Sequence, residues 1–188
     1  MTLTDERVRF YLRHRDQLEE WWTLRLEAAS AIDEWLNGLT VDFESLAADI
    51  GKDVDLVVAF EDAWPSLFLK RSTWPGTIAA NATVLIGLQW ARGKTLLGAS
   101  NSPYVGIHCE KTTAIARALR EDTQLQDSRR QRKDKQTGWW PAFSYVLPEE
   151  PFPEQADKYR QRLLDSVREA WNTYASTVDR AVALATTT

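Results

Sequence analysis

Apolar positions at the start of the chain follow a helical period. From Thr4 to Leu36 no Pro or Gly intervenes, and Val8, Tyr11, Leu18, Trp22, Ala29, Ile32 and Leu36 recur at spacings of three and four or their sums. That spacing sets one stripe of an amphipathic helix. At 1.5 Å rise per residue the helix runs to about 50 Å, longer than a small domain is wide, so part of its stripe needs a second long partner. The C-terminal segment supplies one: Ala156, Tyr159, Leu163, Val167, Ala170, Tyr174, Val178 and Ala181 mark a second stripe after "PEEPFPEQ", in which Pro153 suits a first helical turn. Two such stripes can pair with each other, pack on a sheet, or form the seam of a homodimer.

The middle of the chain changes period. "VDFESLAADIG" reads as a short helix with Asp42 as N-cap and Gly51 just past its end. Strands are then predicted at 55–60 and 66–71, around "EDAWP", whose Pro65 suits a turn. Val84, Ile86, Leu88 and Trp90 alternate on one face of a third strand, and Gly93 reads as a tight hairpin. "YVGIHCE" (104–110) is a fourth strand. One helix is predicted to begin near Thr113, with Ile115, Leu119 and either Thr123 or Leu125 inward, and 140–148 is a last strand. The order predicts an α+β fold, an antiparallel sheet of about five strands packed with long N-terminal and C-terminal helices, as a single domain over 1–188.

Composition narrows the chemistry. A formal net charge of -4 argues against a surface shaped throughout for nucleic acid, so any such contact has to be local. One cysteine, Cys109, excludes an internal disulfide and fits a reducing cytoplasm; with His14 and His108 as the only histidines, a structural zinc site lacks ligands. No run of about 18 apolar residues occurs, so no membrane span is expected, and the charged N-terminus lacks the apolar core of a leader. Nine tryptophans are the oddity, and large aromatics build either cores or interfaces.

Residues 127–143, "DSRRQRKDKQTGWWPAF", hold Arg129, Arg130, Arg132, Lys133 and Lys135 just before Trp139 and Trp140. The cations fall at or past a predicted helix C-terminus, where the macrodipole favours them, in what reads as a solvated loop or a contact surface for phosphate or an acidic protein. Strand alternation sends Trp139 and Trp140 to opposite faces, so at most one belongs to the core. Trp64 and Trp74, beside prolines in predicted turns, are further candidates for exposure.

Catalytic patterns are thin. Arg9 and His14 have the Arg-x4-His spacing of HEPN-type ribonucleases, on what otherwise reads as a charged helix surface. A Mg²⁺ nuclease needs convergent carboxylates and a lysine, and Asp55, Glu61, Asp62 and Lys70 on one hairpin are the candidates, without a Glu-x-Lys doublet. His108 and Cys109 are strand neighbours that point apart, so Cys109 reads as structural. Gly93, Lys94 and Thr95 lack the glycine spacing of a phosphate loop.

Taken together, "FYLRHRDQLEEWWTLR", "SLFLKRSTWP", "VLIGLQW", "PYVGIHCEK" and "WWPAFSYV" before a long terminal helix resemble the non-catalytic, Trp-rich modules that accompany PD-(D/E)xK-like nucleases in bacterial and phage conflict proteins. The resemblance implies a binding, sensing or inhibitory module of defence or counter-defence. The nuclease motif of that superfamily is missing, so no catalytic residue, metal or cofactor carries over. The reading is therefore an interaction protein that meets a protein partner, or nucleic acid through the 129–135 run, with Trp64, Trp74, Arg129, Arg130, Arg132, Lys133, Trp139 and Trp140 as binding candidates. Its alternative is a divergent Mg²⁺-dependent nuclease.

Overall fold

The computed structural model describes residues 5–60, 63–75, 84–97, 101–149 and 154–186. Helices α1 (Glu6–Asn37) and α2 (Thr40–Ile50) precede strands β1 (Val54–Ala59), β2 (Ser66–Arg71), β3 (Val84–Gln89) and β4 (Tyr104–Cys109). Helices α3 (Ala114–Glu121) and α4 (Thr123–Arg132), strand β5 (Ala142–Tyr145) and helix α5 (Ala156–Thr186) complete the chain. The strands form one antiparallel sheet in the order β1-β2-β3-β4-β5, so the α+β architecture is as the alternation of periods predicts.

Pleating divides the sheet into two unlike faces. On one, Leu67, Leu69, Val84, Ile86, Leu88, Val105, Ile107, Cys109 and Ala142 join the stripe of α5 in a single core. Every stripe position from Tyr159 to Ala181 is buried there, so α5 uses its stripe on its own sheet and helices and leaves none for a dimer seam. Cys109 sits in this core, where burial pushes its thiol up to about 11, as befits a structural cysteine.

Several local expectations are corrected. Only Ala29, Ile32 and Leu36 of α1 are buried; Tyr11 and Trp22 are exposed, because the N-terminal two thirds of the helix reaches beyond the body. Trp35 stacks on Tyr159, and Asp33 accepts from Trp90 Nε1 (3.2 Å) and Gly93 N (2.8 Å), which anchors the other end. Asp42 is not the cap of α2: that helix begins at Thr40 after Leu39, and Asp42 accepts instead from Arg160 Nε of α5 at 2.8 Å. Gly93 adopts φ +67, but β3 and β4 are joined by residues 90–103, so the turn does not close a tight hairpin. The helix after Thr113 is two helices, because Asp122 turns extended (ψ 112) and caps the second by accepting from Leu125 N. Thr4 and Pro153 lie outside the described residues.

Long-range polar contacts tie the helical layer together. Asp134, buried, accepts from Arg132 Nε at 3.2 Å and from the Tyr174 hydroxyl of α5, and Arg132 also pairs with Glu169. Arg71 pairs with Asp53 (2.6 Å) and Asp179 (3.3 Å), and its hydrogen bond holds the Asp53 carboxyl below the usual range. Among the described residues no helix is long and apolar enough to cross a membrane.

Candidate functional site

Among the described residues the opposite face of the sheet carries no helix, and it is paved with rings. Cross-strand register fixes three rows on it. The first runs Ala59, Ser66, Gln89, Tyr104, Tyr145; the second runs Val57, Phe68, Gly87, Gly106, Phe143; the third includes Asp55, Lys70, Leu85 and His108. Phe68, Leu85, Trp140 and Phe143 make a second apolar cluster, separate from the main core.

The two glycines explain the shape. A β-carbon on Gly87 would lie 2.3 Å from Leu67 O and 2.7 Å from Phe68 Cα; one on Gly106 would lie 2.0 Å from Ala142 O and 2.7 Å from Phe143 Cα. Flat neighbouring strands about 4.8 Å apart would leave that space open, so β2 and β5 bend in over the glycine pair and make this face concave. The bare strip leaves room for Trp140. Its ring lies 6.0 Å from Phe68, 6.1 Å from Phe143, 5.2 Å from His108 and 4.8 Å edge-on from Tyr104.

A groove of about 680 Å³ follows, lined by Trp64, Phe68, Tyr104, His108, Trp139 and Tyr145 among others. Both ends are fixed by the backbone. Arg92 N donates to Ala63 O and Trp90 N to Pro65 O, which prolongs the β2–β3 pairing to the loop holding Trp64; Gln89 Nε2 reaches Trp64 O (3.4 Å) and Gln89 Oε1 accepts from the Tyr104 hydroxyl. At the far end, Cys109 N donates to Trp139 O, while Trp140 N donates to Thr137 Oγ1, closing a turn that sets Trp139 near-parallel to His108 at 6.0 Å. Trp64 is 51% exposed and Trp139 42% exposed, against 6% for Trp140.

The floor is uncharged. Burial alone pushes the His108 imidazole down to about 4, so it is neutral at pH 7, and its Nδ1 is buried without a hydrogen-bond partner. The unfolded chain, with a histidine near 6.5, binds a proton that the folded chain refuses. The stability contribution of the neutral ring is thus complete above pH 6.5 and is lost as pH falls towards 4, at about 1.4 kcal/mol per pH unit. His108→Phe will flatten the pH dependence of urea-unfolding free energy across that window; equal slopes in the two proteins would show that His108 is not held neutral. At the rim, Lys111 Nζ lies 5.8 Å from the Trp139 ring and Lys135 Nζ 4.5 Å from that of Tyr145.

The sequence candidates therefore separate. Trp64, Trp139 and Trp140 converge on the groove; Trp139 and Trp140 do not alternate between sheet faces, because β5 begins only at Ala142 and both precede it in a turn on the groove side, where Trp140 is buried and Trp139 exposed. Trp74 does not join them: it is 2% exposed on the helical side, stacked on Trp171 at 5.2 Å, with Nε1 donating to Asp179 at 2.7 Å. Arg129, Arg130 and Arg132 form no loop but the last turns of α4, and Lys133 caps it in the left-handed region (φ +59). Arg129 donates to Gln126, Arg130 pairs with Asp127, and Arg132 is held by Asp134 and Glu169, so the run is largely matched within the helical layer. Only Lys135, whose backbone exchanges hydrogen bonds with Phe143, reaches the groove.

Of the nuclease candidates, Asp55 and Lys70 face each other across β1 and β2, while Glu61 and Asp62 lie outside the described residues. Among the described residues no group of three or more His, Cys, Asp or Glu side chains gathers as a metal site. Sequence reasoning missed Phe68, Tyr104, His108, Phe143 and Tyr145, although alternation within "SLFLKR", "YVGIHC" and "AFSY" places each of them opposite the core positions.

Fold and site define an α+β protein with one antiparallel sheet, helices on one face and an aromatic groove on the other. No family model matches the chain, and neither a curated protein nor a solved structure is similar to it.

Proposed function

We propose that this protein acts by binding, and that the groove takes an extended segment of a protein partner. The observation that carries the reading is the pair of exposed indoles, Trp64 and Trp139, at the two ends of a neutral, ring-lined trough. Aromatic grooves of this kind suit proline-bearing or apolar peptides in extended form, with rings packing on the peptide and a few polar groups fixing its register. Gln89 and Ser66 are such groups. A part in bacterial defence or phage counter-defence rests on the resemblance of the segments quoted above and belongs to the same proposal.

A second reading has its own support. Lys111 and Lys135 beside the exposed rings of Trp139 and Tyr145 are the arrangement that single-stranded nucleic acid uses, bases on rings and phosphates on cations. The residues lining the groove include no Lys or Arg, so the electrostatic share of such binding is small, and the peptide reading is favoured.

Selection of a random peptide library on the full chain tests both. Apolar or proline-bearing peptides are expected, with affinity nearly independent of salt. Trp64→Ala and Trp139→Ala will each weaken them about tenfold or more, as interface tryptophans do, while circular dichroism stays unchanged because both rings are surface groups. Failure to select any peptide, together with steeply salt-dependent binding of a single-stranded oligonucleotide, would favour the second reading. Binding that survives both tryptophan changes but is lost with Arg129→Glu and Arg130→Glu would move the site to α4.

A further inference from the structure

We propose that the segment taken by the groove is acidic: an extended stretch of a protein partner whose apolar core is flanked by carboxylates that meet Lys111 and Lys135. The proposal rests on the binding reading of the groove and adds the charge of the partner. Both lysines are exposed and stand on the side formed by β5 and the turn before it. Lys111, two residues past β4, lies along that turn: a β-carbon built on Gly138 would meet its Cδ at 3.6 Å and its Cβ at 3.7 Å, and its Nζ reaches to 5.8 Å from the Trp139 ring. Arg120 of α3 donates to the Lys111 carbonyl and fixes the backbone there. Lys135 is held by its own backbone, which exchanges hydrogen bonds of 2.6 and 2.9 Å with Phe143, and its Nζ lies 4.5 Å from the Tyr145 ring.

Charge then selects the occupant. Arg71, Arg132, Arg160, Arg168 and Arg180 are each paired with a carboxylate of their own chain. Among the described residues Lys111 and Lys135 are not: each ammonium has a ring for a neighbour and no carboxylate partner. The lining of the groove holds no Asp, Glu, Lys or Arg, so a carboxylate seated in its middle would lose water and gain no cation. A segment rich in Lys or Arg would bring like charges to the β5 side. An apolar core with carboxylates directed at that side meets neither penalty. Extended chain turns alternate side chains the same way, so acids two residues apart share the β5 side while the residue between them faces elsewhere. Such pairs, exposed at a rim, select among segments more than they tighten any one of them. The rings remain the source of affinity.

Fluorescence anisotropy on the full chain is the test, with a labelled peptide selected from the library and resynthesised with two glutamates, two alanines or two lysines at each pair of alternate positions in turn. At one pair the glutamate form is expected to bind about three- to tenfold tighter than the alanine form, and the lysine form more weakly than either. Raising salt from about 0.05 to about 0.5 M will erase that order. Lys111→Glu with Lys135→Glu will reverse it, lysine above glutamate, which loss of fold cannot do. Glutamate forms no tighter than alanine forms at every pair, or an order that survives the charge reversal, would overturn the proposal and leave the groove reading standing, since the selected peptide still binds. If no peptide binds at all, the groove reading falls and this one with it. A single-stranded oligonucleotide bound through the two lysines, where no glutamate form gains, would assign them to phosphate instead.

Discussion

Gly106→Ala will destabilise the protein by about 4 kcal/mol or more, a large part of the roughly 5–15 kcal/mol that holds a domain of this size folded. The new β-carbon would sit 2.0 Å from Ala142 O and 2.8 Å from Phe143 Cβ. The first of these is backbone, so no rotamer change relieves it, and β5 has to move away from β4. That movement also spreads Phe143 from Trp140 and opens the groove. Gly93→Ala is the control: it has a positive φ of +67 but nothing within 4 Å, so it bears only the strain of the left-handed region, about 1 kcal/mol. Urea denaturation of the two variants separates steric exclusion from conformational preference. Similar losses in both would mean that the strands at Gly106 are not drawn in as described.

Trp74→Ala is expected to lose about 3–5 kcal/mol, the range for emptying a large aromatic site in a core. The ring fills space between the end of β2 and α5, stacked on Trp171, and its Nε1 donates to Asp179. Trp74→Phe keeps most of the packing and removes the donor. Asp179 retains Arg71 at 3.3 Å, so the carboxylate is not stranded and the smaller change will lose only about 1–2 kcal/mol. Thermal or urea unfolding reads both; an alanine variant as stable as the parent would place Trp74 at the surface after all.

That residue also shows where sequence reading stops. Trp74 precedes Pro75, and a tryptophan beside a proline after a strand suggests an exposed turn. The turn exists, but α5, about a hundred residues later, covers it, and local grammar carries no sign of a distant lid. The same holds for the basic run. The Asp127–Arg130 pair could be read from helical spacing, whereas Glu169 and Tyr174, which complete the network at Arg132 and Asp134, come from another element. Period, by contrast, was decisive: the inward sets of β3 and α5 are those the alternation and the stripe predict.

The groove was legible in principle. Once Leu67 and Leu69 are assigned inward, Phe68 must point outward, and the same step exposes Tyr104, His108, Phe143 and Tyr145 on one surface. What sequence could not supply was the glycine pair. Gly87 and Gly106 lie opposite each other only because of strand register, and their adjacency gives Trp140 its place. In α1 the periodicity was right and its meaning differed. The stripe continues from the buried Ala29, Ile32 and Leu36 into a stretch where Tyr11 and Trp22 are exposed.

Oxidative footprinting of the full chain, alone and bound to whatever protein co-purifies with it, tests the central claim most directly. The groove account predicts that Trp64, Trp139 and Tyr145 become protected together, while Arg129 and Arg130 remain open to a guanidine-specific reagent. Protection confined to the α4 arginines, with those three rings as reactive in the complex as in the free protein, would contradict it.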